Sequence, residues 1–230
     1  MSEFVFMLTH GDRTVEDAAE VVPELAETGL RYIGFKDVGA DASRQRELTS
    51  LAHDAGLEVM LEVVSTSKEE ELSSLRSAVM AGVDWVLGGT HASDGAGILP
   101  DAVRYCPFPG RVIDHPSVLL GTIDEIAGDA QRLTALDHVS GLDLLAYRHP
   151  TADHEALIRE VVRRSSGPVI VAGSIASIDR VLAVCEAGAW GYTIGSAIFD
   201  GLLPGAPSVA DQVRCVLEAT AAHASRESRT

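Results

Sequence analysis

The sequence predicts a single (β/α)8 barrel, on three observations. Short Val-, Ile- and Leu-rich runs alternate with amphipathic stretches. Many of those stretches close in Ala-Gly or Thr-Gly just before the next run, the punctuation of helix, turn and buried parallel strand. The 230-residue length suits one barrel of about 200 to 250 residues. Because each strand is followed by a helix or a short substitute, a closed barrel is favoured over an open doubly wound sheet. The barrel is expected over residues 1–224, with a frayed polar tail at 225–230.

In chain order, strands are expected at residues 4–9, 32–36, 58–64, 85–88, 111–114, 142–147, 168–172 and 192–194. Helices are expected at 15–27, 43–55, 68–81, 124–136, 153–164, 177–187 and 208–224. The fourth connection, 92–109, holds Gly95, Gly97, Pro100, Pro107 and Pro109 and leaves room only for a short helix at 98–105. An internal repeat supports the barrel: residues 81–90 align without gaps to residues 187–196, each a helix end, a strand and a polar turn. The same half-barrel offset sets Thr9-His10 on Asp114-His115 and Phe35-Lys36 on Tyr147-Arg148, so that strands one to four mirror five to eight.

Eighteen Lys plus Arg against 34 Asp plus Glu give a net charge of −16, which repels nucleic-acid phosphates and acidic lipid surfaces alike. Cys106, Cys185 and Cys215 are far apart and fit no metal or redox spacing, as in a reduced cytosolic protein. No apolar run reaches 18 residues and no basic leader precedes the first strand, so a soluble, cytoplasmic protein is expected, with no nucleic-acid or membrane partner. Barrels with apolar helix faces often pair, which leaves a homo-oligomer open.

In this barrel, active sites lie at the carboxyl ends of the strands, and phosphates commonly bind after strands seven and eight. Those strands end in Val171-Ala-Gly-Ser-Ile175 and Thr193-Ile-Gly-Ser-Ala197. Gly173 and Gly195 let backbone N–H groups approach a ligand, Ser174 and Ser196 add hydroxyls, and a short helix opening at Ala197 presents further amides; alternatively, these are two tight turns after buried strands.

Residues 167–177 and 187–201 resemble the closing quarter of ribulose-phosphate-binding barrels. Within that superfamily the segment is similar to the aminoaldose-ketose isomerases of histidine biosynthesis and to N-acylmannosamine-phosphate epimerases. The resemblance implies that Gly173, Ser174, Gly195 and Ser196 hold a substrate phosphate. The histidine-pathway isomerases carry a second phosphate site at strands three and four, where this chain has Gly88, Gly89 and Thr90, so a two-ended substrate is implied as an option. They also carry catalytic aspartates ending strands one and five; Asp114 fills the second place, but Thr9 or His10 stands at the first, which argues against the same reaction.

Lys36 ends strand two inside an apolar run, where a lysine is costly unless its amine reaches an open, ligand-filled mouth. There it would stabilise an enolate, act as an acid or base, or form a Schiff base; the structural alternative is an ion pair with Glu62 or Asp37. Glu62 interrupts strand three on the face of Met60 and Val64, and is a candidate base beside a carbonyl, or simply the partner of Lys36. His10 with Asp12, and Asp114 with His115, end the expected strands one and five and would address opposite faces of a substrate. Arg148 either clamps a second anion together with Gly88, Gly89 and Thr90 or marks an ordinary loop. No cofactor is required by these residues, although His10, Glu62, His91, Asp114 and His115 are ligand types that leave a divalent metal possible. The loop 88–97, rich in small residues, either closes over a ligand or is a mobile surface loop.

The catalytic set expected from the sequence is therefore Lys36, Glu62, Asp114 and His10. The expected activity is isomerisation or epimerisation of a sugar phosphate by proton transfer next to a carbonyl. A carbon-carbon lyase using Lys36 and a non-catalytic phospho-ligand-binding barrel are the alternatives.

Overall fold

The computed structural model describes residues 2–65 and 67–227. Eight parallel strands form the barrel: β1 (Glu3–Met7), β2 (Tyr32–Lys36), β3 (Glu58–Val63), β4 (Trp85–Gly88), β5 (Arg104–Cys106), β6 (Leu142–Leu144), β7 (Val169–Val171) and β8 (Gly191–Ile194). Their spatial order is β6-β7-β8-β1-β2-β3-β4-β5. The two ends of this row meet through Asp143 N–H donating to Pro107 O at 3.1 Å and Ser140 N–H donating to Tyr105 O at 2.7 Å, which nearly closes the barrel.

Helices occupy the crossings: α1 (Ala18–Val21), α2 (Ala42–Asp54), α3 (Lys68–Ala81), α4 (Ala92–Ala96), α5 (Ile123–Leu133), α6 (His154–Arg164), α7 (Ile178–Glu186), α8 (Ser196–Phe199) and α9 (Val209–Glu227). Side-chain caps fix where the longer ones begin. Asp41, Ser67, Thr122, Asp153 and Ser177 each accept a bond from a first-turn N–H. Apolar residues between strands and helices form one buried cluster. A second fills the barrel interior and contains Val5, Met7, Tyr32, Met60, Trp85, Leu87, Cys106 and Ile170. At the amino-terminal end of the strands Trp85 packs on Trp190 with ring centroids 5.1 Å apart, and Tyr32 meets both rings edge-on.

The structure corrects the sequence reading in the fifth unit. Arg104–Cys106, expected to end a helix, is the fifth barrel strand, and the preceding helix is Ala92–Ala96 rather than 98–105. Arg111–Ile113 instead pairs antiparallel with Val118–Leu120 in a ribbon outside the barrel sheet. The half-barrel pairing of Thr9-His10 with Asp114-His115 therefore fails, whereas that of β4 with β8 holds. Two further boundaries move. The first helix is broken into α1 and a 3-10 turn, Val22–Leu25, because Pro23 has no N–H to continue an α-helical ladder. Strand six stops at Leu144, and Ala146–Arg148 turns as a 3-10 helix. At the carboxyl end, α9 runs on through residues read as tail, and 228–230 lie outside the described residues.

The lower barrel layer depends on its large rings. Trp85→Ala should cost about 3–5 kcal/mol by urea unfolding, since the surrounding rings and Arg104, whose guanidinium lies over Trp85, cannot collapse into the space. A loss below about 1 kcal/mol would show the layer to be loosely packed.

Candidate active site

A cavity of about 350 Å3 opens at the carboxyl ends of the strands. It is lined by Asp12, Lys36, Glu62 and Arg148, together with Gly173, Ser174, Gly195 and Ser196. Lys36 and Glu62 are register partners at the ends of β2 and β3, and the parallel pleat turns both inward. Each is only 3% exposed, and Lys36 Nζ lies 3.3 Å from Glu62 Oε1.

The ammonium has a second carboxylate partner, Asp12, that the sequence reading placed only beside His10. Thr9–His10 and Arg13–Thr14 pair antiparallel, leaving Gly11 and Asp12 as a two-residue turn with φ of 54° and 67°. Positive φ at both centres is the signature of the turn that fits tight hairpins, and Asp tolerates it better than most residues. The turn delivers the Asp12 carboxylate to Lys36 and to Arg148, whose Nη1 and Nη2 donate to Asp12 Oδ2 and Oδ1 at 2.7 Å each. Burial works against the charge on Asp12, but the Arg148 hydrogen bonds and the Lys36 and Arg148 charges outweigh it, holding the carboxyl well below its usual range. Arg148 also donates from Nη1 to Ser117 O at 3.3 Å.

Asp143, central in β6, was not singled out in the sequence. It is fully buried, and neither carboxyl oxygen has a hydrogen-bond partner. Burial first, and the nearby Glu62 charge second, raise its pKa well above the usual carboxylate range, with Lys36 and Arg148 offsetting only part. Burial and the Glu62 charge thus favour the neutral form of Asp143, close to the charged groups of the mouth.

The turns after β7 and β8 complete the lining. A Cβ at Gly173 would lie 2.2 Å from Arg148 Nε, and one at Gly195 would lie 2.4 Å from Thr9 Oγ1, so neither of these two positions admits a side chain. Ser174 sits at φ 59°. Ser196 Oγ accepts from Gly11 N–H at 3.2 Å, tying the β8 turn to the Gly11-Asp12 turn. Ile198 N–H donates back to Gly195 O, and the first amides of α8 have no partner within that helix.

Other candidates lie apart. His10 is exposed and its Nε2 pairs with Asp200 Oδ1 at 2.9 Å, at the rim. Asp114, expected to end strand five, instead follows the first arm of the antiparallel ribbon. With His115 it lines a neighbouring cavity of about 490 Å3 that also contains Gly89 and Thr90. Arg148 belongs to the first cavity, away from Gly88, Gly89 and Thr90, and Ser117 stands between the two cavities. Among the described residues, no group of three or more His, Cys, Asp or Glu is arranged to hold a metal ion, and His10, Glu62, His91, Asp114 and His115 do not converge. No described helix is long and apolar enough to cross a membrane.

No family model matches the chain. It is 24% identical over 206 residues to the 1-(5-phosphoribosyl)-5-((5-phosphoribosylamino)methylideneamino) imidazole-4-carboxamide isomerase of Myxococcus xanthus (strain DK1622), covering 82% of this chain and 84% of that one. Among solved structures, the native KDPGal structure superposes with a TM-score of 0.66 at 14% identity over 96% of both chains. The tryptophan synthase A-subunit of Pyrococcus furiosus superposes with a TM-score of 0.61 at 14% identity, over 94% of this chain and 98% of that one. The structural likenesses establish the (β/α)8 barrel.

The favoured neutral form of Asp143 has a measurable consequence. Its native pKa is raised, so the unfolded chain gives up this proton near pH ~4 while the native state keeps it. The stability it contributes is full below that pH and is lost as pH rises toward the native value. Asp143→Asn, neutral at every pH, should therefore melt above wild type at about pH 8, with the gap closing as pH falls toward about 4. A pH-independent gap in a thermal-melt series would show that Asp143 is ionised in the native state.

Proposed function

We infer that the protein is an enzyme that binds a phosphorylated small molecule, a sugar phosphate, and isomerises or epimerises it by proton transfer next to a carbonyl. The observation that carries this reading is one cavity with two unlike sets of lining groups. Buried Lys36 and Glu62 line it together with the two Gly-Ser turns.

In this reading the amides and hydroxyls at Gly173-Ser174 and Gly195-Ser196 hold the phosphate. Glu62 removes the proton from the carbon beside the carbonyl, and Lys36 stabilises the negative oxygen that develops. Returning the proton to the neighbouring carbon, while the hydroxyl proton passes to the former carbonyl oxygen, gives the isomer, and protonation of the same carbon from its opposite face gives the epimer. Asp12 and Arg148 position Lys36 by holding it in the mouth. The Myxococcus relative supports an isomerase acting on a phosphoribosyl compound, and the geometry of the Lys36–Glu62 pair is consistent with enediolate chemistry.

Lys36 is held between the carboxylates of Asp12 and Glu62, an arrangement that suits a fixed positive group at a developing oxyanion and favours this reading over the lyase alternative. Borohydride added with a carbonyl-bearing sugar phosphate should leave Lys36 unmodified by mass spectrometry, whereas a reduced adduct on Lys36 would establish the lyase reading.

The test of the phosphate wall is thermal unfolding with phosphate, sulfate and a panel of sugar monophosphates at fixed ionic strength. A ligand at about 100 times its Kd should stabilise the wild type by about 2.7 kcal/mol. Ser174→Asp adds a negative charge at an exposed position whose left-handed backbone Asp accepts, and should abolish the stabilisation without unfolding the barrel. Stabilisation that persists in Ser174→Asp, or is absent with every anion, would overturn the assignment. Glu62→Gln should lower turnover by about 10²- to 10⁴-fold while leaving phosphate binding within about twofold. Binding without turnover, unchanged in Glu62→Gln, would instead mark a ligand-binding barrel.

A further inference from the structure

The barrel carries the same turn twice, but only one copy is open. The repeat that aligns residues 81–90 with 187–196 sets Gly89-Thr90 after β4 against Gly195-Ser196 after β8. At the β8 turn a cavity stands above the glycine. At the β4 turn the place is taken by a carboxylate of the chain itself. Glu71, fully buried in the first turn of α3, accepts from Thr90 N–H at 2.9 Å and from His91 N–H at 2.9 Å. Thr90 Oγ1 lies 3.2 Å and His91 Nδ1 2.8 Å from Glu71 Oε2. Two consecutive backbone amides, a hydroxyl and an imidazole thus converge on one anion, the donor set that a bound phosphate oxygen would use.

The two halves differ in sequence at this point. Carried back along the helices, the same register sets Glu71 against Ser177, whose side chain is spent on capping α7 by accepting from Arg180 N–H. Helix α3 has 14 residues against nine in α7, so the first half brings a carboxylate up to its turn and the second half does not. The neighbouring cavity of about 490 Å3 then meets Glu71 only through Gly89 and Thr90, and its own charged wall is Asp114. A phosphate placed there would face two carboxylates instead of the amides.

We propose that Glu71 is a resident anion that fills the second cradle and makes the site specific for monophosphates, whose distal end carries no second phosphate. The proposal rests on the reading of Gly173-Ser174 and Gly195-Ser196 as the phosphate wall for its substrate assignment, but not for the state of the β4 turn. Glu71 is a specificity residue here: it touches no reacting atom and decides how many phosphates the mouth accepts.

Calorimetric titration with inorganic phosphate separates the two. Wild type should bind one equivalent, lost in Ser174→Asp; Glu71→Ala should bind two; and the double variant should bind one, at the vacated β4 turn. Glu71→Gln, which keeps the volume and leaves the turn filled, should gain none. Failure of wild type to bind phosphate sinks the Gly173-Ser174 reading, yet a gained equivalent in Glu71→Ala would still uphold the Glu71 assignment. A folded Glu71→Ala protein that gains nothing overturns the proposal. Should that variant not fold, wild type decides on a matched pair. Fructose 1,6-bisphosphate bound no tighter than fructose 6-phosphate upholds the proposal, and binding about tenfold tighter or more overturns it.

Discussion

A lysine ammonium inside a barrel has to be surrounded by carboxylates, and the mouth of this protein is organised around that requirement. Lys36 reaches Asp12 and Glu62, and Asp12 in turn holds Arg148 through two hydrogen bonds. The backbone enforces the same arrangement. Thr14 Oγ1 accepts from Lys36 N–H and donates to Lys36 O, so the hairpin that carries Asp12 is clamped to the end of the strand that carries Lys36. Ser196 Oγ then ties that hairpin to the turn after β8. Removing Lys36 takes from buried Glu62 its ion-pair partner, a loss of about 3–5 kcal/mol, whereas Asp12 keeps the two hydrogen bonds from Arg148.

Charge in the mouth is layered. The cations and their carboxylates face the cavity, while Asp143 lies below, buried and without a hydrogen-bond partner. Three carboxyl groups near two cations would leave net negative charge in a dry interior, and the burial that raises the Asp143 pKa works against that charge. The turns after β7 and β8 are built differently, with glycines that admit no side chain, and as the anion site proposed for them they would need no lysine in a strongly acidic chain. The β4 turn shows the counterpart, a cradle of the same make neutralised by Glu71.

Much of the fold was legible because the strands that matter are short apolar runs set off by Gly turns. Tyr32–Lys36 and Trp85–Gly88 fall where their patterns place them, and Lys36 and Glu62 stood out as charges in such runs. The fifth strand was not legible. Arg104–Cys106 is three residues long, opens with an exposed arginine and stops at a proline, whereas Arg111–Ile113 has the look of a strand and forms an external ribbon. Asp114 was misplaced with it. Asp12 was hidden because Thr9 and His10 read as the end of strand one rather than as one arm of a hairpin, although a buried lysine with two carboxylates is a signal that a second acid must be found. Asp143, an acid between two leucines of a strand, had a visible signal in Leu142-Asp-Leu144. Glu71 had none, since an acidic first turn is what any helix favours.

The central claim is that Glu62 and Lys36 move a proton beside a carbonyl, and solvent exchange tests it before the substrate is named. Sugar phosphates that stabilise the protein are incubated with it in deuterium oxide, and the carbon next to the carbonyl is followed by proton NMR. The account predicts deuterium incorporation at that carbon with wild type and its loss with Glu62→Gln. Exchange that is absent for every bound sugar phosphate, or that persists in Glu62→Gln, would contradict it.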